Sequence, residues 1–211
     1  MNEKTRSIII NIAVLVILSV AAYFTASGPI KIIASIGGII CVYLVAKESV
    51  WNYPVGLIGN SCLCYTLFQT KLYADAILQI MFMVLMVFGW IFWLTGRSRR
   101  ERVRPAKHLT TVHGVAIGVF IVIATIIWGG IIKQWGDPAP YFDAFTSMVG
   151  ISAQYLLSSR VYENWYGWFA LNGLSLCLYA YKGLYLFSVL YFFYLLIAIG
   201  GMIKWRKSFV Q

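Results

Sequence analysis

Asparagine side chains recur in two matching patterns along an otherwise apolar chain. Each pattern has three positions spaced four residues apart: Asn52, Gly56 and Asn60, and then Asn164, Trp168 and Asn172. Residues with this spacing share one face of a helix. In an apolar environment an asparagine amide must bind either a neighbouring helix or a polar ligand. Because two matching pairs are present, we predict a ligand site, with contacts between helices as the alternative.

Two further amides and several aromatic rings add to this candidate site. Gln79 and Gln154 lie within apolar stretches, and each can donate and accept hydrogen bonds. Trp168 shares the face of the second asparagine pair and is the preferred stacking group, ahead of Trp51, Tyr65, Trp165, Tyr179 and Tyr191. The predicted binding residues are therefore Asn52, Asn60, Gln79, Gln154, Asn164, Trp168 and Asn172.

Groups that catalyse reactions or hold metals are missing from this pattern. Every Asp and Glu lies at or near an end of an apolar run, so no carboxylate is placed for a proton or sodium relay. His108 and His113 are expected to pair with neither a cysteine nor a carboxylate, which leaves no metal site and no activated nucleophile. The sequence also has no phosphate-binding glycine loop. We therefore predict no catalytic residue, no metal, no cofactor and no enzymatic activity.

Composition indicates that most of the chain lies in lipid. Of 211 residues, 61% are hydrophobic and 11% are charged, whereas a soluble domain carries about 25% charged residues. The net charge of +10 would suit nucleic acid in a soluble protein, but the charges here stand between apolar runs. We predict an all-α membrane protein whose partners include membrane lipids and exclude nucleic acid.

Eight apolar runs approach the length of about 20 residues that a helix needs to cross a bilayer core. Their predicted bounds are 8–25, 30–47, 52–70, 74–95, 112–132, 141–158, 164–181 and 184–204. The first run follows Lys4 and Arg6, as in a secretory signal peptide, but its length favours a retained helix.

Positive charges indicate the orientation of these helices. Of the 17 Lys and Arg residues, 13 fall on the side of the membrane that holds both termini. Cytoplasmic loops carry the excess of positive charge, so both termini are predicted to be cytoplasmic. The densest cluster lies in the loop 96–111, which we interpret as an anchor of this orientation, with a site for lipid headgroups or nucleic acid as the alternative.

The chain repeats itself at a fixed spacing of 112 positions, which we call the repeat offset. Twelve identities align without a gap, among them Asn52 with Asn164, Asn60 with Asn172, and Trp93 with Trp205. The repeat offset spans four predicted helices, so the two copies share one orientation. The sequence predicts two parallel three-helix bundles, 30–95 and 141–206, a linker helix over 112–132 and a peripheral helix over 8–25. Transporters built from parallel repeats bind their substrate at the repeat interface.

Several motifs resemble those of the Pnu vitamin transporter family. They are Trp-Asn-Tyr-Pro-Val-Gly-Leu-Ile-Gly-Asn at 51–60, Lys-Leu-Tyr-Ala-Asp at 71–75 followed by Gln79, Gly89 and Trp90 with Trp93, and Glu-Asn-Trp-Tyr-Gly-Trp at 163–168 with Asn172. The resemblance covers about residues 31–206. It implies a bacterial cytoplasmic-membrane protein with a 3+1+3 core similar to the sugar-transporting SWEET proteins, often assembled as a homotrimer.

The resemblance also implies facilitated diffusion of a dephosphorylated vitamin, which a separate cytoplasmic riboside kinase then traps. Nicotinamide riboside is the expected substrate and NAD synthesis its use, with thiamine or riboflavin as alternatives within the family. The carboxamide, the ribose hydroxyls and the cationic pyridinium ring of nicotinamide riboside match amide groups and the face of Trp168. A membrane receptor that binds its ligand without moving it is the alternative from another class.

Overall fold

The computed structural model describes residues 28–95, 103–137, 139–181 and 185–207 of the chain. These residues form seven α-helices, numbered here in chain order: α1 Pro29–Ala46, α2 Asn52–Gln69, α3 Tyr73–Leu94, α4 Thr111–Gln134, α5 Pro140–Ser158, α6 Asn164–Tyr181 and α7 Tyr185–Lys207. The predicted first helix, 8–25, and residues 96–102 of the predicted basic loop lie outside the described residues.

The all-α prediction is confirmed for the part of the chain that the structure describes. Each of the seven helices begins and ends within three residues of its predicted bounds. Strand pairing in this part is limited to a single bridge between Lys107 and Val161. Three helices, α1, α3 and α4, are clearly long and apolar enough to cross a membrane.

Apolar side chains cover much of the outer surface of the helices. Val84 on α3 is 62% exposed, and Ile126 on α4 is 61% exposed. A soluble protein rarely presents so continuous an apolar surface to water. Lipid tails are as apolar as these side chains, so the surface carries no penalty in a bilayer. The exposed surface is therefore that of a membrane protein.

The helices pack in an order that follows the repeat offset. In the first half of the chain α2 packs against both α1 and α3, and in the second half α6 packs against both α5 and α7. Two contacts join the halves, α3 with α5 and α1 with α7. A shift along the chain by the repeat offset converts one of these two contacts into the other. The remaining helix, α4, packs against α5.

Four aromatic rings join the two halves at the end of the molecule where α3 and α7 end. Trp93 and Trp205 are fully buried, and their ring centroids lie 5.8 Å apart. Tyr53 packs edge-on against Trp93 at 5.2 Å, and Trp165 packs in the same way against Trp205 at 5.6 Å. We call these four residues the aromatic core. Such ring pairs contribute about 0.5–1.5 kcal/mol each beyond the area that they bury.

The two central indole rings also form hydrogen bonds between the halves. Trp93 Nε1 donates to the carbonyl oxygen of Leu157 at 3.2 Å, and Trp205 Nε1 donates to the carbonyl oxygen of Val45 at 3.3 Å. The two donors are related by the repeat offset, and so are the two acceptors. Each half of the chain therefore donates an equivalent hydrogen bond to the other half. These bonds also give the buried indole N–H groups of Trp93 and Trp205 an acceptor.

Two glycines allow the aromatic core to pack closely. Gly89 on α3 faces the ring of Tyr53, and Gly201 on α7 faces the ring of Trp165. A Cβ atom at either position would lie closer than 3.0 Å to the facing side chain. Because both rings are held by further aromatic contacts, they have little room to move.

Replacing Gly201 by alanine should lower the thermal stability of the protein, because forcing an extra carbon into a packed core costs about 1–3 kcal/mol. Gly200→Ala is the matched control, since nothing lies within 4 Å of a Cβ atom at that position. The apparent unfolding temperature of each purified variant in detergent, followed by the loss of monodisperse protein on heating, checks this. Equal unfolding temperatures for the two variants would contradict the packing described here.

Candidate functional site

A cavity of about 330 Å³ lies between the two halves of the chain. Side chains from α1, α2, α3, α5, α6 and α7 line it, and α4 contributes none. Cavities of this size are typical of sites for small organic molecules. The cavity is therefore the candidate functional site.

Five of the seven predicted binding residues line this cavity: Asn60, Gln79, Gln154, Trp168 and Asn172. They come from four different helices and meet only because the two halves pack together. The amide nitrogen of Asn60 donates to the Met86 sulfur at 3.4 Å, and sulfur is a weak acceptor that leaves much of the amide's bonding capacity open. Gln154 is buried.

The other two predicted residues, Asn52 and Asn164, are not among the residues that line the cavity. Each is the first residue of its helix and is fully buried. The amide nitrogen of Asn52 donates to the carbonyl oxygen of Ser49 at 2.7 Å, and that of Asn164 donates to the carbonyl oxygen of Val161 at 2.6 Å. These bonds fix the turns that lead into α2 and α6.

Aromatic side chains complete the wall of the cavity. Of the other aromatic candidates, Trp165 and Tyr191 line it, whereas Trp51 and Tyr65 lie outside it and are exposed. The side chain of Tyr179 lies outside the described residues. Sequence reasoning did not select the further lining residues Phe82 and Tyr194, although both stand one helical turn from predicted ones, three residues after Gln79 and Tyr191.

Most of the lining comes in pairs of residues that are related by the repeat offset. The six pairs are Val42 and Gln154, Val45 and Leu157, Asn60 and Asn172, Gln79 and Tyr191, Phe82 and Tyr194, and Met86 and Ala198. The asparagines are identical in the two halves, whereas three pairs combine an apolar or aromatic residue with a more polar one. The frame of the cavity is thus nearly symmetric, and its chemistry is not.

None of the described residues that line the cavity is charged. The described residues hold no group of three or more His, Cys, Asp or Glu side chains able to bind a metal ion. One expectation is wrong: His108 Nδ1 lies 2.9 Å from a carboxylate oxygen of Glu163, so this histidine does pair with a carboxylate. The pair is outside the cavity and 64% of the His108 side chain is exposed, so it forms no catalytic group there.

A helical membrane protein with a neutral, amide-lined cavity between its halves belongs to the class that binds and moves small molecules. Residues 28–207 match the model of the nicotinamide mononucleotide transporter family, and the chain belongs to that family. It is therefore a membrane transporter and not an enzyme.

Known members are similar along most of their length. The nicotinamide riboside transporter PnuC of Escherichia coli is 26% identical over 204 residues, which cover 85% of each chain. The protein of the same name from Neisseria mucosa is 30% identical over 202 residues, covering 90% of this chain and 77% of the relative. A crystal structure of the vitamin B3 transporter PnuC superimposes with a TM-score of 0.77 at 26% identity, covering 94% of this chain and 89% of the other.

Replacing Asn164 by alanine should lower the unfolding temperature in detergent, because the turn before α6 loses its side-chain bond, worth about 0.5–1.5 kcal/mol. Asn172→Ala is the matched control on the same helix, because Asn172 is only partly buried and faces the cavity. A greater loss of stability for Asn172→Ala than for Asn164→Ala would contradict the different positions of the two side chains.

Proposed function

We propose that the chain carries nicotinamide riboside across the bacterial cytoplasmic membrane by facilitated diffusion, for use in NAD synthesis. The observation that supports this most directly is the neutral cavity, which offers four amide side chains and several aromatic rings but no described charged group. The relatives from Escherichia coli and Neisseria mucosa are both named as nicotinamide riboside transporters.

The substrate has three parts, and the cavity has a matching group for each. Its carboxamide donates and accepts hydrogen bonds, as the amides of Asn60, Gln79, Gln154 and Asn172 do. Its ribose hydroxyls suit the same amides. Its positively charged pyridinium ring suits the face of Trp168, since aromatic faces attract cations. We do not include Asn52 and Asn164 in this set, because their amide nitrogens are bound to the backbone.

We further propose that transport follows the 3+1+3 architecture expected from the sequence. The bundles 30–95 and 141–206 would move relative to each other around the cavity, with 112–132 as the linker and 8–25 as a peripheral helix. The equivalent contacts of α3 with α5 and of α1 with α7 support this proposal, because they are the contacts that two parallel copies make across a shared axis.

The remaining features of the proposal concern the cellular setting. We propose that both termini are cytoplasmic, because cytoplasmic loops carry the excess of positive charge. The lack of a described carboxylate in the cavity supports movement down a gradient without coupling to protons or sodium. A cytoplasmic riboside kinase would then trap the product by phosphorylation, and the protein is proposed to act as a homotrimer surrounded by lipid.

The family model bears the name of the mononucleotide, which is the 5′-phosphate of the riboside. We favour the riboside because a phosphate carries about two negative charges near neutral pH, and burying them without a cationic partner is costly. No Lys or Arg stands among the described residues that line the cavity.

A binding titration of the purified protein tests this choice of substrate. Nicotinamide riboside should bind saturably, and its 5′-phosphate should bind at least about 100-fold more weakly, because the phosphate loses its hydration without gaining a partner. Thiamine and riboflavin complete the panel of ligands. Tight binding of the phosphate would contradict the proposal, and preferential binding of thiamine or riboflavin would assign the chain another substrate of the family.

Flux into liposomes then separates a transporter from a receptor. Nicotinamide riboside is a cation, so the membrane potential of the liposomes is held at zero. Liposomes that contain only this protein should then take up nicotinamide riboside until the inside and outside concentrations are equal, with no effect of a proton or sodium gradient. Binding without uptake would identify a receptor, and accumulation driven by a proton or sodium gradient at zero membrane potential would contradict facilitated diffusion.

Trp168→Leu should weaken the binding of nicotinamide riboside by about tenfold, because a buried cation loses an aromatic face worth up to about 2 kcal/mol. Trp51→Leu is the matched control, since Trp51 is 69% exposed and outside the cavity. Isothermal titration calorimetry of both variants measures the effect. Equal affinities of the two variants would remove Trp168 from the proposed site.

A further inference from the structure

An ion pair that is largely shielded from solvent joins two equivalent positions of the chain. Glu48 follows α1 and Arg160 follows α5, and the two are related by the repeat offset. Arg160 Nη2 lies 2.7 Å from Glu48 Oε2, and only 2% and 14% of the two side chains are exposed. Removing both charges from water costs free energy that their attraction need not recover. Stability alone therefore does not explain why this ion pair is present.

Both residues adopt the left-handed backbone conformation that glycine usually supplies after a helix. The φ angle is 56° at Glu48 and 58° at Arg160. Glu48 N–H donates to the carbonyl oxygen of Val45, and Arg160 N–H donates to that of Leu157. These bonds belong to the helix-ending motif in which glycine is the common residue. Glycine would satisfy the backbone at both positions, but it would remove the charges.

The guanidinium group of Arg160 packs over both of the tryptophans that join the halves. Its central carbon is 4.6 Å from the ring centroid of Trp93 and 4.5 Å from that of Trp205. Arg160 Nε also donates to the carbonyl oxygen of Arg104 at 2.7 Å. This bond connects Arg160 to the segment that precedes α4. We call Glu48, Arg160, Trp93 and Trp205 the clasp.

The clasp borders one end of the cavity. Val45 and Leu157 line the cavity, and their carbonyl oxygens accept the indole N–H bonds of the two clasp tryptophans. Both tryptophan side chains are 0% exposed and Arg160 is 1% exposed, so tightly packed groups block this end. Trp165, which packs against Trp205, also lines the cavity. A change in the clasp therefore reaches the cavity wall directly.

We propose that the clasp is the gate that closes the cavity at the end where α1 and α5 terminate. This inference rests on the proposed transport function, because a carrier must separate its halves at one end to release its substrate. Opening at this end requires Arg160 to separate from Glu48 and the two indole rings to separate from each other. The two charges, one from each half, hold the gate shut and return it to the closed state.

Cys41 provides a probe for this gate, because it lines the cavity. In a chain that carries C62S, C64S and C177S, Cys41 is the remaining cysteine. A membrane-impermeant thiol reagent is applied in turn from each side of vesicles of known orientation. From the side of the clasp, Glu48→Gln and Arg160→Gln should each speed Cys41 labelling about tenfold, because one closing charge is lost and the open state becomes more populated.

The charge-swap variant E48R/R160E tests whether the two positions are equivalent. An arginine at 48 would meet the same two indole rings from the other half, so labelling should return to within about threefold of the parent rate. A swap variant that is labelled as fast as the single variants would overturn the proposal that an ion pair across equivalent positions forms the gate.

Two controls separate gating from loss of structure. A chain that keeps only Cys64, which does not line the cavity, reports general loosening, and its labelling should not follow that of Cys41. The variant E48G/R160G removes both charges and gives glycine to both left-handed positions, so it should fold without an unpaired charge. Its Cys41 should be labelled faster than in the parent, and a parent-like rate would overturn the gate.

Flux and binding measurements on the same proteins keep the two proposals apart. If the parent neither binds nor admits nicotinamide riboside, the proposed substrate is wrong, while the Cys41 rates still report on the clasp. If transport is intact and the Cys41 rates do not respond to any clasp variant, the clasp is not the gate.

Discussion

Trp93 and Trp205 bring the two halves of the chain into contact through residues at equivalent positions, and much of the structure depends on this contact. Lipid tails are as apolar as leucine, so water does not drive helices together within a bilayer. The halves must instead be held by close packing and by hydrogen bonds. The two indole groups provide both, since each ring packs against the other and each N–H binds a carbonyl of the opposite half.

The same contact sets the position of the cavity. The carbonyls that accept the two indole N–H groups belong to Val45 and Leu157, and these residues form part of the cavity wall. Above them the matched asparagines Asn60 and Asn172 line the cavity. In this nearly symmetric frame, a ligand meets lining residues at equivalent positions of both halves. An asymmetric molecule is then oriented by the positions at which the halves differ, such as Gln79, whose equivalent is Tyr191.

The sequence predicts the helices well because a bilayer imposes their length and their apolar character, and seven of the eight lie in the described part of the chain. It does not separate Asn52 from Asn60, because both stand on one helical face and both recur at the repeat offset. The difference arises from their places along the helix. Asn52 is at the start of the helix, where its amide nitrogen reaches the carbonyl oxygen of Ser49 in the preceding loop, whereas Asn60 lies two turns further on and lines the cavity. The sequence does not distinguish the lining residues Phe82 and Tyr194 from other aromatic residues, because aromatic residues are common throughout the chain.

The burial of Arg160 is the feature that the pattern of charges in the sequence predicts least well. In the sequence it is one cation among those that mark a cytoplasmic loop, where exposure to water is expected. In the structure it is the one fully buried charged side chain among the described residues. Its partner and its two neighbouring rings come from helices and loops far away in sequence, so no local pattern reveals them. The buried charge thus lies beneath the cavity, and the described residues lining the cavity are neutral. Transport that is not coupled to ions needs no charged group in the cavity. A closure that must open and re-form is served by a pair of charges in low dielectric, because the pair attracts strongly when joined and is costly to separate.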